Sequence, residues 1–121
     1  MGTESLEFYL PWPYRELSPN ARVHWAKRAR FAELAKNEGY LRAYPLKMHA
    51  RRDARFAVTL TFHPKDKRRY DLDNLIASMK AACDGICLGL GIDDAQFASV
   101  TGVWGERRKP AEVVVKLEVI G

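Results

Sequence analysis

Alternation of apolar and polar residues marks four segments of the chain as strands. In residues 5–10 every second side chain is apolar, and Pro11-Trp12-Pro13 then forms a rigid turn. The alternation is clean over residues 55–62, with Phe56 and Leu60 among those on one face, and His63-Pro64 ends it. Two further strands are expected at residues 97–104 and 112–119, the second with valines at alternate positions.

Two other segments carry the spacing of helices. Ser18-Pro19-Asn20 supplies a capping hydroxyl followed by proline, and residues 21–43 after it hold no proline and only one glycine. Residues 73–90 repeat apolar side chains every three or four positions, and Gly89 and Gly91 close that segment. The order β-α-β-α-β-β predicts an α/β (α+β mixed) fold, with helices packed on one mixed sheet.

Length and composition favour one folded domain spanning residues 1–121. Hydrophobic residues make up 47% and charged residues 29%, which argues against a disordered chain. The first eight residues lack a basic region followed by an apolar run, and no stretch approaches about 18 apolar residues. We therefore expect no membrane association and a cytoplasmic location.

The only two cysteines, Cys83 and Cys87, lie one helical turn apart in the second predicted helix. Reduced thiols in the core are the expected state for such a pair. A zinc site would need more ligands, and the three histidines do not pair with these cysteines at ligand spacing. The cysteines therefore predict packing and not metal binding.

An excess of positive charge adds a first functional indication. The formal net charge is +5 and the isoelectric point is about 9.4. A polyanionic partner suits such a charge, although many basic proteins bind none. Part of the excess forms a short run of cations just before the second predicted helix, named here the basic strip: Lys65, Lys67, Arg68 and Arg69.

Asp71 and Asp73 follow the basic strip and are two positions apart. In extended backbone such residues point to the same side, so their carboxylates can converge. Converging carboxylates repel unless a cation separates them, and hard oxygen ligands favour Mg²⁺ or Mn²⁺. The alternative is structural: Asp71 caps the helix and Asp73 interacts with its dipole. For the two residues alone, capping is the more common arrangement.

The basic strip changes this balance. Cations that hold phosphates beside carboxylates that hold a metal are what a metal-dependent phosphodiesterase needs. The non-functional alternative is that the strip is only a solvated loop. On an ideal helix, Lys80 and Asp84 share the face of Asp73, with Lys80 about 10 Å and Asp84 about 16 Å along the axis. Lys80 can therefore approach the site, and Asp84 is better placed to pair with Lys80.

A second acidic pair, Asp93-Asp94, follows the helix, where a turn is the ordinary role for such residues. Spacing alone does not say whether this pair returns to Asp71.

Several motifs together resemble the RusA family of Holliday-junction resolvases. They are KRRYDLDNL at residues 67–75, MKAACDGI at 79–86 and GIDDAQF at 91–97, with LPWP at 10–13 and LSPN at 17–20. The resemblance implies a RusA-like fold and a homodimer that cuts four-way DNA junctions in pairs using magnesium. An enzyme of this kind is expected to need no organic cofactor.

The resemblance also implies roles for individual residues. Asp71, Asp73 and Asp94 match the family's metal-site aspartates, and Asp93 is adjacent to the third. The family's lysine matches Lys80 when counted back from Asp84, with residues 76–78 forming a three-residue extension. In the best-known branch that lysine falls where this chain has Ala77. DNA contacts are expected from Lys67, Arg68, Arg69 and Lys80, since Tyr70 stands where that branch carries another arginine.

The sequence leaves three other functions open. A non-enzymatic DNA-binding protein would share the basic strip but have no use for the clustered aspartates. A metal-dependent transferase could use an Asp-x-Asp pair, although no glycine-rich phosphate loop is present. An inactive homologue is the third, because the lysine register differs from that of the best-known branch.

Overall fold

The alternating segments form a single four-stranded mixed sheet in the computed structural model, which describes residues 4–121. The strands are β1 (Ser5–Pro11), β2 (Phe56–His63), β3 (Phe97–Trp104) and β4 (Glu112–Val119). Their order across the sheet is β1-β4-β2-β3. Strands β2 and β3 run parallel, whereas β4 runs antiparallel to both β1 and β2. All four predicted strands and the mixed sheet are confirmed.

Across the described residues, three helices accompany the sheet: α1 (Trp25–Ala43), α2 (Leu72–Ser78) and α3 (Lys80–Leu90). The chain order is therefore β-α-β-α-α-β-β, so the predicted order was wrong by one helix. Short 3₁₀ turns lie at Arg15–Leu17, Tyr44–His49 and Asp94–Gln96. Within residues 4–121, no helix combines the length and apolar character needed to cross a bilayer.

The second predicted helix is interrupted at Met79. Its N–H donates to the backbone oxygen of Ile76, three residues earlier, at 3.1 Å, which is the spacing of a 3₁₀ turn and not of an α-helix. The φ and ψ of Met79 are −89° and −1°. Just before it, the Ser78 hydroxyl donates to the backbone oxygen of Asn74 at 2.7 Å, a contact that bends helices. The prediction of a single helix over residues 73–90 was therefore wrong. The sequence did not reveal the break because the apolar spacing continues across it.

Helix α1 begins later than Ser18-Pro19-Asn20 predicts. The side chain of His24 caps it, with Nδ1 accepting from the Ala26 N–H at 3.2 Å. The segment before it is held as a turn because the Arg28 guanidinium donates to the backbone oxygens of Ser18 and Ala21, at 3.3 and 2.9 Å. The capping hydroxyl and proline therefore belong to a loop that a distant arginine stabilises.

The core lies between the helices and one face of the sheet. In β2 the predicted inward residues are all buried, and the threonines between them are only half-buried. Leu60 and Phe62 are fully buried, as is Ile86 of α3, and each such side chain stabilises the fold by roughly 1.5–3 kcal/mol. The helices that carry the candidate site are thus fixed to the sheet by the core.

Helices α1 and α3 meet at three glycines, Gly39, Gly85 and Gly89, where their backbones come unusually close. A methyl group at Gly89 would lie 2.8 Å from the backbone oxygen of Tyr40, and one at Gly85 would overlap the backbone oxygen of Lys36. The absence of side chains lets the two helices approach until backbone meets backbone. This contact fixes the position of α3, on which Lys80 lies.

Cys83 and Cys87 are both free thiols, as predicted. Burial raises the pKa of Cys83 to about 11 and that of Cys87 to about 12. At pH 8 we expect iodoacetamide to modify Cys83 about 100-fold and Cys87 about 1,000-fold more slowly in the native protein than in urea, because the thiolate is the reactive form. Intact-mass measurements over time check this. Equal native and unfolded rates would contradict the buried placement.

Candidate functional site

Asp71 ends the loop after β2 and caps helix α2. Its carboxylate accepts from the Asn74 N–H at 3.1 Å, and its backbone oxygen accepts from the Leu75 N–H at 3.1 Å. The capping role left open from the sequence is therefore present. The side chain is exposed, and a cap engages only one of its two oxygens, Oδ1. Capping thus leaves the second oxygen available to a ligand.

Asp73 occupies the first turn of α2 and is exposed. In residues 4–121, no ion pair involves Asp71 or Asp73. Apolar residues on the other side of α2 hold it against the sheet: Leu72 and Ile76 contact the position of Gly102 in β3. The sequence thus places Asp73 on the solvent side of a helix whose other side is packed.

The basic strip is organised by Asp66, which lies within it. One carboxylate oxygen of Asp66 accepts from the Arg68 N–H at 3.0 Å and from the Tyr70 hydroxyl at 3.4 Å. The Arg68 guanidinium lies 4.0 Å from the other oxygen. The hydrogen bond from the Arg68 N–H is the main reason why the pKa of Asp66 is lowered. A local acid therefore folds the strip into a turn whose four cations all remain exposed.

A pocket of about 390 Å³ joins the basic strip to the acidic motif and is named here the Asp71 pocket. Its lining includes Trp12, Arg15, Lys65, Arg68, Arg69, Tyr70 and Asp71. Four of these are cations and one is a carboxylate. Lys67 is exposed but does not line the pocket. The structure therefore places three of the four strip cations around Asp71.

Lys80, the first residue of α3, bridges two aspartates. Its Nζ donates to Asp84 Oδ1 at 3.0 Å and lies 3.8 Å from Asp94 Oδ2. The hydrogen bond to Asp84, followed by the charges of Asp84 and Asp94, raises the pKa of Lys80. A raised lysine pKa means that this ion pair is present below the ordinary lysine pKa and is lost only as pH rises through the raised value. Lys80 is therefore a cation at neutral pH.

The predicted pairing of Lys80 with Asp84 is thus confirmed. The contact with Asp94 is new, since it joins the start of α3 to the segment after its end. Together with Lys36 of α1, these residues and Asp93 line a second open depression of about 390 Å³, named here the Lys80 pocket.

Asp93 begins the short turn that carries Asp94. Its carboxylate accepts from the Ala95 N–H at 2.8 Å, which lowers its pKa, and its own N–H donates to the Gln96 side chain at 2.9 Å. The Gln96 amide also donates to the backbone oxygens of Arg52 and Ala54, at 2.8 and 2.7 Å. The turn role left open for this pair therefore applies to Asp93, and Gln96 fixes the turn to the chain before β2.

Gln96→Glu is expected to lower the free energy of unfolding by about 1–3 kcal/mol, because a carboxylate cannot donate to the two backbone oxygens that the amide satisfies. Urea unfolding followed by circular dichroism measures the change. Asn37→Ala, which removes an exposed amide on α1, is the control and should stay within about 0.5 kcal/mol of the wild type. Equal stability of the two variants would mean that Gln96 does not fix the turn to the chain before β2.

The structure brings the candidate residues together in two groups. Asp71 lies with the basic strip, and Asp93 and Asp94 lie with Lys80. Asp73 lines neither pocket. Across the described part of the chain, no three His, Cys, Asp or Glu side chains form a group that could hold a metal ion. The break at Met79 also means that ideal-helix geometry does not relate Lys80 to Asp73.

Several residues of the site were missed from the sequence. Gln96 could have been found, because Asp-x-x-Gln before a strand is the spacing of a capping box. In the sequence, Asp66 is only the one acid among the strip cations, and nothing there indicates that it folds the strip. Lys36 and Trp12 reach their pockets from distant parts of the chain. Only the folded chain brings those two side chains to the site.

No family model matches this chain. An uncharacterized protein of Xylella fastidiosa strain Temecula1 is 36% identical over 118 residues, an alignment that covers 89% of this chain and 72% of that protein.

Proposed function

We propose that this chain, which belongs to the same family as the uncharacterized Xylella fastidiosa protein, has the activity of a RusA-family resolvase. It is a magnesium-dependent endonuclease that recognises four-way DNA junctions and resolves them by paired phosphodiester nicks. Its place is in DNA recombination and repair, in the cytoplasm. In this proposal the mixed α+β fold is the RusA fold.

The observation that carries this proposal is the composition of the Asp71 pocket. Lys65, Arg68 and Arg69 surround a carboxylate whose second oxygen the helix cap does not use. Cations of this kind hold phosphate oxygens through charge, and contacts to several phosphates dominate the affinity of proteins for DNA. A phosphodiester held by these cations would lie next to Asp71. This is the juxtaposition that hydrolysis of a DNA backbone requires.

Asp71, Asp73 and Asp94 would hold the magnesium ion, with Asp93 adjacent. Their exposed carboxylates are the hard oxygen ligands that this ion prefers, so the donor types fit it, although within residues 4–121 the three side chains are not gathered into one group. When bound, magnesium, or manganese in its place, activates water and stabilises negative charge at the phosphate. Lys80 remains protonated at neutral pH and contributes positive charge near Asp94.

The remaining parts of the proposal concern assembly. A two-fold homodimer would present two copies of the site to the two symmetric strands of a junction, which suits paired nicking. In this assembly the basic strip of each copy, including Lys67, would contact the arms of the junction.

A second candidate function is junction or duplex binding without hydrolysis. Two observations favour it: Asp71 and Asp93 both have capping roles, and Asp71 lines a different pocket from Asp93 and Asp94. Aspartates that serve only as caps would leave the basic strip as the functional element.

One experiment separates the two functions. A synthetic four-way junction and a linear duplex of matched sequence are incubated with the protein, with and without Mg²⁺, and products are resolved on denaturing gels. The proposal predicts magnesium-dependent nicks in two opposed strands of the junction and none in the duplex. Tight binding without nicks at any magnesium or manganese concentration would favour the binding protein.

A further inference from the structure

The wall of the Asp71 pocket is aromatic as well as basic. Trp12 and Tyr70 both line it, with ring centroids 5.0 Å apart and planes inclined by 58°. Behind them, Trp12 packs edge-on against Phe62 at 6.0 Å, and Tyr70 lies 6.5 Å from Trp104. The rings of Trp12 and Tyr70 are half-buried and therefore held in place by the core.

The Tyr70 ring is also fixed from its far end. Its hydroxyl contacts Asp66, the residue that folds the basic strip, at 3.4 Å. The aromatic face and the cations of Arg68 and Arg69 are thus parts of one locally organised segment. A rigid ring costs little conformational entropy when a ligand stacks on it.

Fixed aromatic rings beside cations are the arrangement that binds unpaired nucleotides, in which the base stacks on a ring and the cations hold the phosphates. A base within a duplex presents only its edges, so only an unstacked base can offer its face. The pocket volume of about 390 Å³ lies in the range of small-ligand sites, about 300–1,000 Å³.

We propose that the Asp71 pocket binds an unpaired DNA nucleotide, with its base stacked on Tyr70 beside Trp12 and its phosphates held by Arg68, Arg69 and Lys65. The inference rests on the proposed function, for which it supplies a recognition element: nucleotides at a branch point can leave the stack, whereas those of an intact duplex cannot do so readily. The enzyme would then distinguish a junction from a duplex by what enters this pocket.

The test compares three labelled DNAs of matched sequence: a fully paired duplex, a duplex with one unpaired thymidine, and the same duplex with an abasic residue at that position. Binding is measured by fluorescence anisotropy in EDTA. Wild-type protein is expected to bind the unpaired thymidine about fivefold to 100-fold more tightly than the abasic residue, because only the base can stack. Equal affinities would overturn the proposal, and this comparison requires no variant to fold.

Variants assign the preference to the ring. Tyr70→Leu should lose it, whereas Tyr70→Phe should keep it, although both lack the hydroxyl that contacts Asp66. Tyr9→Leu, which removes an exposed tyrosine from β1, should also keep it. A full preference in folded Tyr70→Leu protein would overturn the assignment.

The phosphate contacts are tested separately. Arg69→Gln should weaken binding to all three DNAs to a similar extent and lower the slope of log affinity against log salt by about one. An unchanged slope would remove Arg69 from the pocket's phosphate contacts.

The same wild-type protein is assayed for magnesium-dependent nicking of junctions, which keeps this inference distinct from the proposed function. Nicking without a preference for the unpaired base overturns the nucleotide pocket alone. A Tyr70-dependent preference without nicking supports the pocket and overturns the resolvase.

Discussion

Asp73→Asn is expected to lower the rate of junction nicking by about 100-fold or more, equivalent to ~3 kcal/mol of activation free energy. Asp73 is exposed on the first turn of α2, and within residues 4–121 it takes part in no ion pair. The substitution keeps the shape of the side chain and removes one negative charge. Stability and junction affinity should therefore change little, and the loss should appear in the chemical step.

Single-turnover nicking at saturating protein measures this rate, and anisotropy measures affinity. Asp71→Asn is an informative companion, because asparagine caps helices about as well as aspartate and so keeps the cap while removing the charge. Glu7→Gln removes an exposed carboxylate from β1, at the opposite edge of the sheet from β3, and should leave the rate unchanged. An Asp73→Asn protein that nicks at the wild-type rate would contradict the site assignment.

Gly85→Ala is expected to destabilise the fold severely, by about 3 kcal/mol or more, because overpacking of this kind forces backbone to move. The added methyl group would overlap the backbone oxygen of Lys36 and lie 3.0 Å from the backbone nitrogen of Tyr40. Neither neighbour is the end of a flexible side chain. Helices α1 and α3 must therefore separate, which also displaces Lys80.

Thermal and urea unfolding measure the loss of stability. Gly121→Ala is the matched control, because a methyl group there meets no atom within 4 Å, and it should be neutral. A Gly85→Ala protein as stable as this control would mean that the two helices do not cross at the glycines.

The strands could be predicted from the sequence because burial on one face imposes a period of two. In β2 and β1 the residues expected to point inward, such as Phe56 and Phe8, are buried. The pairing order β1-β4-β2-β3 could not be predicted, since it depends on contacts between distant segments. The break at Met79 was also missed, because the hydrogen bond from the Ser78 hydroxyl leaves the apolar spacing unchanged.

In the candidate site, too, contacts within one helix could be predicted and contacts between distant segments could not. The ion pair of Lys80 with Asp84 was predictable, since it joins residues one helical turn apart. The contact of Lys80 with Asp94 spans the whole of α3 and its exit, so spacing gives no indication of it. Asp94 entered as a candidate only through the resemblance to resolvases. The aromatic wall of the Asp71 pocket requires Trp12 to meet Tyr70, which lies about half the chain away in sequence.

Paired nicking is tested most directly with a supercoiled plasmid that extrudes a single cruciform, which is a four-way junction held in a circle. Two symmetric nicks made while one protein dimer stays bound convert the circle directly into linear DNA. The resolvase account predicts magnesium-dependent linear product from this plasmid and none from the same plasmid without the inverted repeat. A plasmid that is bound at the cruciform but stays supercoiled, or becomes only a nicked circle, would contradict it.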